Sequence, residues 1–352
     1  MFNEFKIGNK IIGKNREPFI IAEAGINHNG DIGLAKRMIL CAKKAGVDAI
    51  KFQTFKTEEF IMDKSEMYTY KSQGKLVTES QYNMFKRTEF SEDKWREIKN
   101  FCDEHEIAFL STPASENGLK FLISLGIEAI KISSDDFINI PLVRRYETYK
   151  IPIIASCGMA NEDEIRLVLN TLKLEEGHPV CLMLCTSEYP APLSDINAKK
   201  LITMNEKFPK AVLGFSDHSQ GNISAIVAVS LGARVFEKHF TLSNELPGPD
   251  HWFSSEPDKL AEWVKGIRDA YVILGNSKLV PTETEKEQQI LMRRSITTAC
   301  NIKKGDIFNS RNLILLRPGT GIGAEKWDEI IGRKARHNIK QNSQINWEDI
   351  DK

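Results

Sequence analysis

Eight short apolar runs recur through the larger part of this 352-residue chain, each followed by a polar break and an amphipathic stretch. They read FIIAEAG (19–25), AIKFQT (49–54), IAFLSTP (107–113), AIKISS (129–134), IPIIASCG (151–158), VCLMLC (180–185), VLGFSD (212–217) and RVFEKHF (234–240). Stretches between them, such as LAKRMILCAKKAG and NEDEIRLVLNTLK, carry helical spacing, and SEDK and NEDE read as helix starts, a capping residue followed by acids. Near-continuous apolar strands alternating with helices build a parallel sheet. Eight such units over about 255 residues predict a closed (β/α)8 barrel, whose usual size is about 250 residues. The rival, an open doubly wound sheet, is disfavoured because no G-x-G-x-x-G follows the first run.

The rest of the chain has a different character. After EPDKLAEWVKGIRDAYVILG (256–275), the expected last barrel helix, the sequence turns polar and charged, then becomes short strands and turns from RRSITTAC onward. The domain reading is therefore 1–278 for the barrel, 279–292 for a linker and 293–352 for a small β-rich domain. Residues 56–90 are unusually long for a strand-to-helix connection and read as an active-site loop.

Lys+Arg and Asp+Glu both total 48, so the net charge is zero, which argues against a nucleic-acid partner held by bulk charge. A local basic pocket for a small anion stays compatible with it. The six cysteines are scattered through apolar runs and read as free thiols. The opening MFNEFKIGNKIIGK has no secretory apolar core, and no run approaches the ~20 residues of a membrane span. A cytoplasmic protein without a membrane partner is expected.

In a barrel of this kind, chemistry clusters at the carboxyl ends of the strands. That rule selects Glu23, Lys51, Gln53, Lys131, Ser134, Asp136, Ser156, Ser187, Tyr189, Ser216 and Glu237. Lys51 and Lys131 stand in equivalent places inside apolar runs, where an unpaired ammonium is costly. Their partner is a carboxylate such as Glu23 or Glu237, or an anionic ligand, with the hydroxyls of Ser134, Ser156 and Ser216 as further donors; a Schiff-base role for one lysine is a third reading. His218 and His239 end neighbouring runs one βα unit apart. Adjacent strands lie about 4.8 Å apart, so both imidazoles can converge on a divalent metal with positions left for water and substrate. PGPDH (247–251) reads as a rigid turn that holds Asp250 at the barrel mouth. Arg317, in LRPGTG, offers a donor fork from the small domain.

On IAEAGINHNGD (21–31), IKFQT (50–54), LSTP (110–113), KISSDD (131–136), CGMA (157–160), CTSEYPAP (185–192), GFSDHS (214–219), EKHF (237–240), GPDH (248–251) and RPGTG (317–321), the sequence strongly resembles the sialic acid synthase family. The last motif resembles that family's C-terminal antifreeze-like (SAF, β-clip) domain. The resemblance implies condensation of phosphoenolpyruvate with N-acetylmannosamine or a related acetamido sugar, giving a nine-carbon 2-keto acid and phosphate. It implies that His218 and His239 bind Mn2+, or Mg2+ or Co2+, and that Lys51, Lys131, Ser134, Ser156 and Ser216 hold phosphoenolpyruvate. Glu23, Gln53, Tyr189 and Asp250 would bind the sugar, with Arg317 reaching it from the other subunit of a domain-swapped homodimer. Glu23 or Asp136 would stabilise the cationic character developing at C2. Three departures lie near this pocket: Ser133-Ser134-Asp135-Asp136 where the family usually has Gly-Ser-Gly-Glu, Ser187 where some members have asparagine, and Ser156-Cys157-Gly158-Met159 where Ser-Thr-Gly-Met is common. They keep open a diacetamido acceptor, as in legionaminic acid synthases, and a sugar-binding protein that has lost catalysis.

Overall fold

The computed structural model describes residues 4–351. The chain divides into two compact units, one ending at Gly275 and the other starting at Asn276. In the first, the eight apolar runs form the parallel strands β1 (Phe19–Gly25), β2 (Ala49–Thr54), β3 (Ala108–Pro113), β4 (Ile130–Ile132), β5 (Ile153–Ser156), β6 (Val180–Cys185), β7 (Val212–Asp217) and β8 (Val235–His239). Their ladder runs β3-β2-β1-β8-β7-β6-β5-β4. The end strands β3 and β4 lie side by side, so the sheet comes round into a (β/α)8 barrel.

The connecting helices start and stop where their sequences direct. Asp31 caps Ile32–Ala45 through Leu34 N–H, and Gly46 ends it with φ 87°, a left-handed turn that glycine takes without a Cβ clash. Asn161 and Glu164 form a capping box on Glu162–Thr171. The apolar faces of these helices and the outward residues of the strands make one core that includes Ile20, Phe52, Phe109, Phe215, Phe236 and Trp263.

A second core fills the lower barrel. A hairpin of Phe5–Ile7 and Lys10–Ile12 inserts Phe5, Ile7 and Ile12 against the inward residues Ile21, Ile154 and Val235. Each large apolar side chain fully buried there contributes about 1.5–3 kcal/mol. The plug leaves the opposite, carboxyl end of the strands for polar groups.

The long connection 56–90 is ordered: an antiparallel hairpin, Met67–Ser72 with Lys75–Ser80, runs into helix Gln81–Thr88. The stretch read as a linker also carries structure, the helix Glu283–Met292 with a capping box between Thr282 and Glu285. In the second unit, Ser295–Thr298 pairs with Leu313–Leu316, and Ile296, Ile302, Phe308, Ile330 and Ile345 form its own core. Among the described residues, no helix is long and apolar enough to cross a membrane.

Candidate active site

Strand periodicity decides which polar residues enter the barrel. Side chains alternate faces along a strand, so Ser216 and Glu237, paired in register across β7 and β8, share a face, while Asp217 and Lys238 share the other. Outside, Lys238 Nζ lies 2.9 Å from Asp217 Oδ2, and Trp263 Nε1 donates to the same oxygen at 2.9 Å. That pair fastens the strands to the helix layer. Inside, His239 is in register with Glu23, and Glu23 with Lys51.

The result is a closed set of four buried charges. Lys51 Nζ stands 2.8 Å from Glu23 Oε2 and 3.7 Å from Glu237 Oε1, while Lys131 Nζ stands 3.7 Å from the same Glu237 oxygen. Lys51 also donates to Thr112 Oγ1 at 3.2 Å and Lys131 to Ser156 Oγ at 2.8 Å. The costly strand lysines therefore have carboxylate partners in the free protein. Burial pushes the Glu23 carboxyl up to about 7, with Lys51 pulling against it and Glu237 adding to it. Burial also opposes the charge of Lys51, yet Glu23 and Glu237 together hold its pKa above the usual lysine range. Lys131 is lowered by burial. One carboxyl near neutrality among two ammonium groups can bind an anion and move a proton in the same place.

Beside this cluster, the His218 and His239 rings meet edge to face with centroids 5.4 Å apart, and Tyr189 stacks on His218 at 4.2 Å. His218 Nδ1 lies 2.7 Å from the Thr186 carbonyl oxygen, which fixes it as the donor and leaves Nε2 a lone pair. Cys185 Sγ lies 3.9 Å from both ring nitrogens of His218, a position over the face of the ring. His239 Nδ1 is buried without a hydrogen-bond partner, and burial, reinforced by His218, holds that ring far below the usual histidine range. Two adjoining imidazoles, His239 held neutral with an unmet buried nitrogen and His218 with Nδ1 fixed on a carbonyl, suit a divalent cation. Among the described residues no third histidine, cysteine or acid completes such a set. The remaining positions would fall to substrate and water.

The rim completes the pocket. Gly25 closes β1 with φ 51°, and a Cβ there would meet Glu23 Oε1 at 3.3 Å, Gln53 Nε2 at 3.4 Å and Asp250 Oδ2 at 3.7 Å. These three predicted residues therefore converge on one point. Asp250 is held by its neighbour: His251 shares hydrogen bonds with Thr241 Oγ1 at 2.6 Å and Asn29 Nδ2 at 3.2 Å. Burial pushes the Asp250 carboxyl up to about 6. Across the mouth, a Cβ on Gly158 would strike Ser187 Oγ at 2.3 Å and Ser134 Oγ at 2.6 Å, so those hydroxyls also converge. Ser216 Oγ lies 3.5 Å from His218 Nε2.

Of the remaining predicted residues, Asp136 is engaged by the cap of the next helix and Arg317 belongs to the second unit. Asp136 accepts from Asn139 Nδ2 at 3.0 Å, and Asn139 caps the next helix. Its exposed neighbour Asp135 is the acid whose charge acts on Lys51 and Tyr189. Arg317 lies in the second unit, exposed beside Arg294 in a depression lined by Ile314, Leu315 and Leu316. Cys185 and His251 stand in the CTSEYPAP and GPDH motifs, where sequence alone assigns neither a site role. Cys185 follows Cys181 and Met183 at the inward spacing of two, and His251 closes PGPDH.

With this geometry in place, the comparisons with known proteins are decisive. The NeuB family model matches residues 38–279 and the SAF domain model residues 293–351. The chain belongs to the NeuB family. Its relatives within this family of nonulosonic acid synthases include an N,N'-diacetyllegionaminic acid synthase of Legionella pneumophila, 38% identical over 98% of each chain. A pseudaminic acid synthase of Campylobacter jejuni is 32% identical over 95% of this chain and 96% of its own. The crystal structure of an N-acetylneuraminic acid (sialic acid) synthetase from Leptospira borgpetersenii, in complex with citrate, superposes with a TM-score of 0.73 at 35% identity, covering 82% of this chain and 95% of that one. The barrel and the C-terminal domain of this NeuB-family chain are thus those its sequence resembles.

Proposed function

We propose that this chain condenses phosphoenolpyruvate with an acetamido sugar of the N-acetylmannosamine type, giving a nine-carbon 2-keto sugar acid and inorganic phosphate. The observation that carries the reading is the buried Glu23–Lys51–Glu237–Lys131 cluster beside the adjoining His218 and His239 rings, the second with a buried Nδ1 that has no hydrogen-bond partner. Lys51 and Lys131 receive the phosphate and carboxylate of phosphoenolpyruvate, with hydroxyls of Ser134, Ser156 and Ser216 as further donors. Gln53, Tyr189, Ser187 and Asp250 orient the sugar. His218 and His239 are the residues to hold a divalent ion, Mn2+ or its substitutes Mg2+ and Co2+. Such an ion supplies, when bound, Lewis acidity toward the acceptor carbonyl.

The enol carbon forms the new bond to the acceptor's carbonyl carbon, and C2 becomes electron-poor. The Glu23 and Glu237 carboxylates stabilise that charge, and Glu23, poised near neutrality, takes the proton of the water that adds at C2. The C2–O bond to phosphate then breaks as the C2 hydroxyl gives its proton to the departing phosphate, leaving the ketone. The proton held by Glu23 completes the hydroxyl formed from the acceptor's carbonyl oxygen. The lysines act as anion clamps and form no Schiff base.

Arg317 is proposed to complete the site of a second copy in a domain-swapped homodimer. For the acceptor, the 38% identity to the Legionella protein along essentially the whole chain favours a second reading, a diacetamido sugar. A phosphate-release assay with phosphoenolpyruvate and N-acetylmannosamine, its 6-phosphate, and the diacetamido precursors of legionaminic and pseudaminic acids tests both. Release with at least one acceptor is expected. No release with any of them, or a borohydride-trapped lysine adduct with a keto acid, overturns the proposal.

A further inference from the structure

The hairpin Met67–Ser72/Lys75–Ser80 is fixed on two sides. At its base, Arg87 pairs with Glu79, and both bond the Tyr70 hydroxyl. At its tip it docks on the loop that carries Asp250: Ser72 Oγ accepts from Gly248 N–H at 3.1 Å, Gln73 Nε2 donates to the Glu245 carbonyl at 2.9 Å, and Lys71 Nζ lies 5.0 Å from the Trp252 ring centroid. The loop is itself immobilised by His251 and by Asn29, whose Nδ2 donates to the Pro247 carbonyl at 2.8 Å. Two rigid pieces therefore meet along one wall of the barrel mouth.

On this stand, Tyr68, Tyr70 and Ser72 alternate onto the same hairpin face, the one that touches Gly248. Tyr70 is buried and its hydroxyl is used. Tyr68 stacks on it, rings 5.9 Å apart and 25° from parallel, yet is 44% exposed, and its hydroxyl has no hydrogen-bond partner among the described residues. An aromatic ring with a polar tip, pre-set by its neighbours, is a common form of sugar-contacting group because little side-chain entropy remains to be lost on binding. Burial, and then the Asp250 charge, hold the Tyr68 phenol above its usual range, so it stays a donor through neutral pH.

We propose that Tyr68 is a specificity residue for the acceptor sugar, its hydroxyl donating to the carbonyl oxygen of an acetamido substituent at the Asp250 side of the pocket. The inference rests on the acceptor reading above and assigns a group that the barrel strands alone do not supply.

The test is steady-state phosphate release by Tyr68→Phe and Tyr70→Phe in the full chain, with melting curves for each. Tyr68→Phe should raise KM for the acceptor about tenfold, the usual effect of one lost hydrogen bond, leave KM for phosphoenolpyruvate within twofold of wild type, and keep the melting temperature. It should also lower the preference for the best acceptor over an analogue lacking one acetamido group. Tyr70→Phe should shift melting and leave that preference in place. An unchanged acceptor KM in Tyr68→Phe, or equal shifts for both substrates, overturns the role of Tyr68 while the condensation reading stands. Absence of phosphate release by wild type with every acceptor removes the condensation reading and this one with it.

Discussion

The Lys51 ammonium stands 2.8 Å from a Glu23 carboxylate oxygen, with the two side chains 4% and 2% exposed. Removing one member of such a pair leaves an uncompensated buried charge and costs about 3–5 kcal/mol. Lys51→Met also leaves Glu23 and Glu237 to share Lys131 alone. Urea unfolding of Lys51→Met should show a loss of that size, and Lys51→Met/Glu23→Leu should recover a large part of it. A single variant as stable as wild type would mean that the pair is not formed in solution.

The acids after strand β4 separate by what already holds them. Asp136 is tied to Asn139, whereas Asp135 is free of such a tie and acts on Lys51. Asp135→Asn should lower phosphate release more than Asp136→Asn. Asp136→Asn keeps an oxygen that can accept from Asn139 and should stay close to wild type in stability, whereas Asp136→Ala should cost about 0.5–1.5 kcal/mol, the net worth of one hydrogen bond. Parallel rate and melting measurements on these variants check this, and the reverse order of rates would return the role to Asp136.

Much of this arrangement is readable in the sequence because β strands with both faces covered are written as apolar runs, and any charge within them stands out. Lys51 and Lys131 are such charges. Which face each polar residue takes is less readable: Ser216 and Asp217 are neighbours, and only the strand phase sends one inward and the other to Lys238 and Trp263. The Phe5–Ile12 plug escapes because its meaning lies in contacts with distant strands. Helix Glu283–Met292 escapes because none of its residues is buried, so it carries no apolar stripe; the Thr282–Glu285 capping box is its one local signal.

The proposed divalent-metal dependence rests on His218 and His239. Phosphate release should stop in excess chelator and return with Mn2+. His239→Ala should lower it by at least about a hundredfold, as expected when a metal ligand is lost. Titration of Mn2+ followed by electron paramagnetic resonance should show one site per chain in wild type and none in His218→Ala/His239→Ala. Full activity in chelator would remove the ion from the proposal.

Arg317 of the second unit offers a complementation test of the proposed domain-swapped dimer. His239→Ala and Arg317→Ala should each be nearly inactive. In a mixed dimer, one site would keep His239 and receive an intact Arg317 from the other subunit. Mixing the two variants under exchange conditions should therefore restore activity, toward about a quarter of wild type from random pairing. No recovery after verified exchange would place Arg317 in the site of its own chain, or outside any site.

Two buried histidines and two buried acids make stability depend on pH in opposite senses. His28, enclosed by Phe52, Phe90 and Trp95, is lowered to about 3 by burial, and His251 to about 4. Unfolding frees each histidine to bind a proton below its ordinary 6.5, so stability is lost as pH falls from 6.5 toward the folded value, by about 1.4 kcal/mol per pH unit per group. Glu23, raised to about 7, and Asp250, raised to about 6, bind their protons more tightly when folded, so they favour the native state as pH falls from those values to the ordinary carboxylate range. The wild-type curve is the sum of both, which makes the difference between variant and wild type the quantity to measure. Relative to wild type, His28→Leu should gain roughly 3 kcal/mol between pH 6.5 and 4, and Glu23→Gln should lose stability between pH 7 and 4.5. Urea unfolding at half-unit pH steps reads both slopes, and a His28→Leu difference that stays flat across this window would show that His28 is not held neutral in the fold.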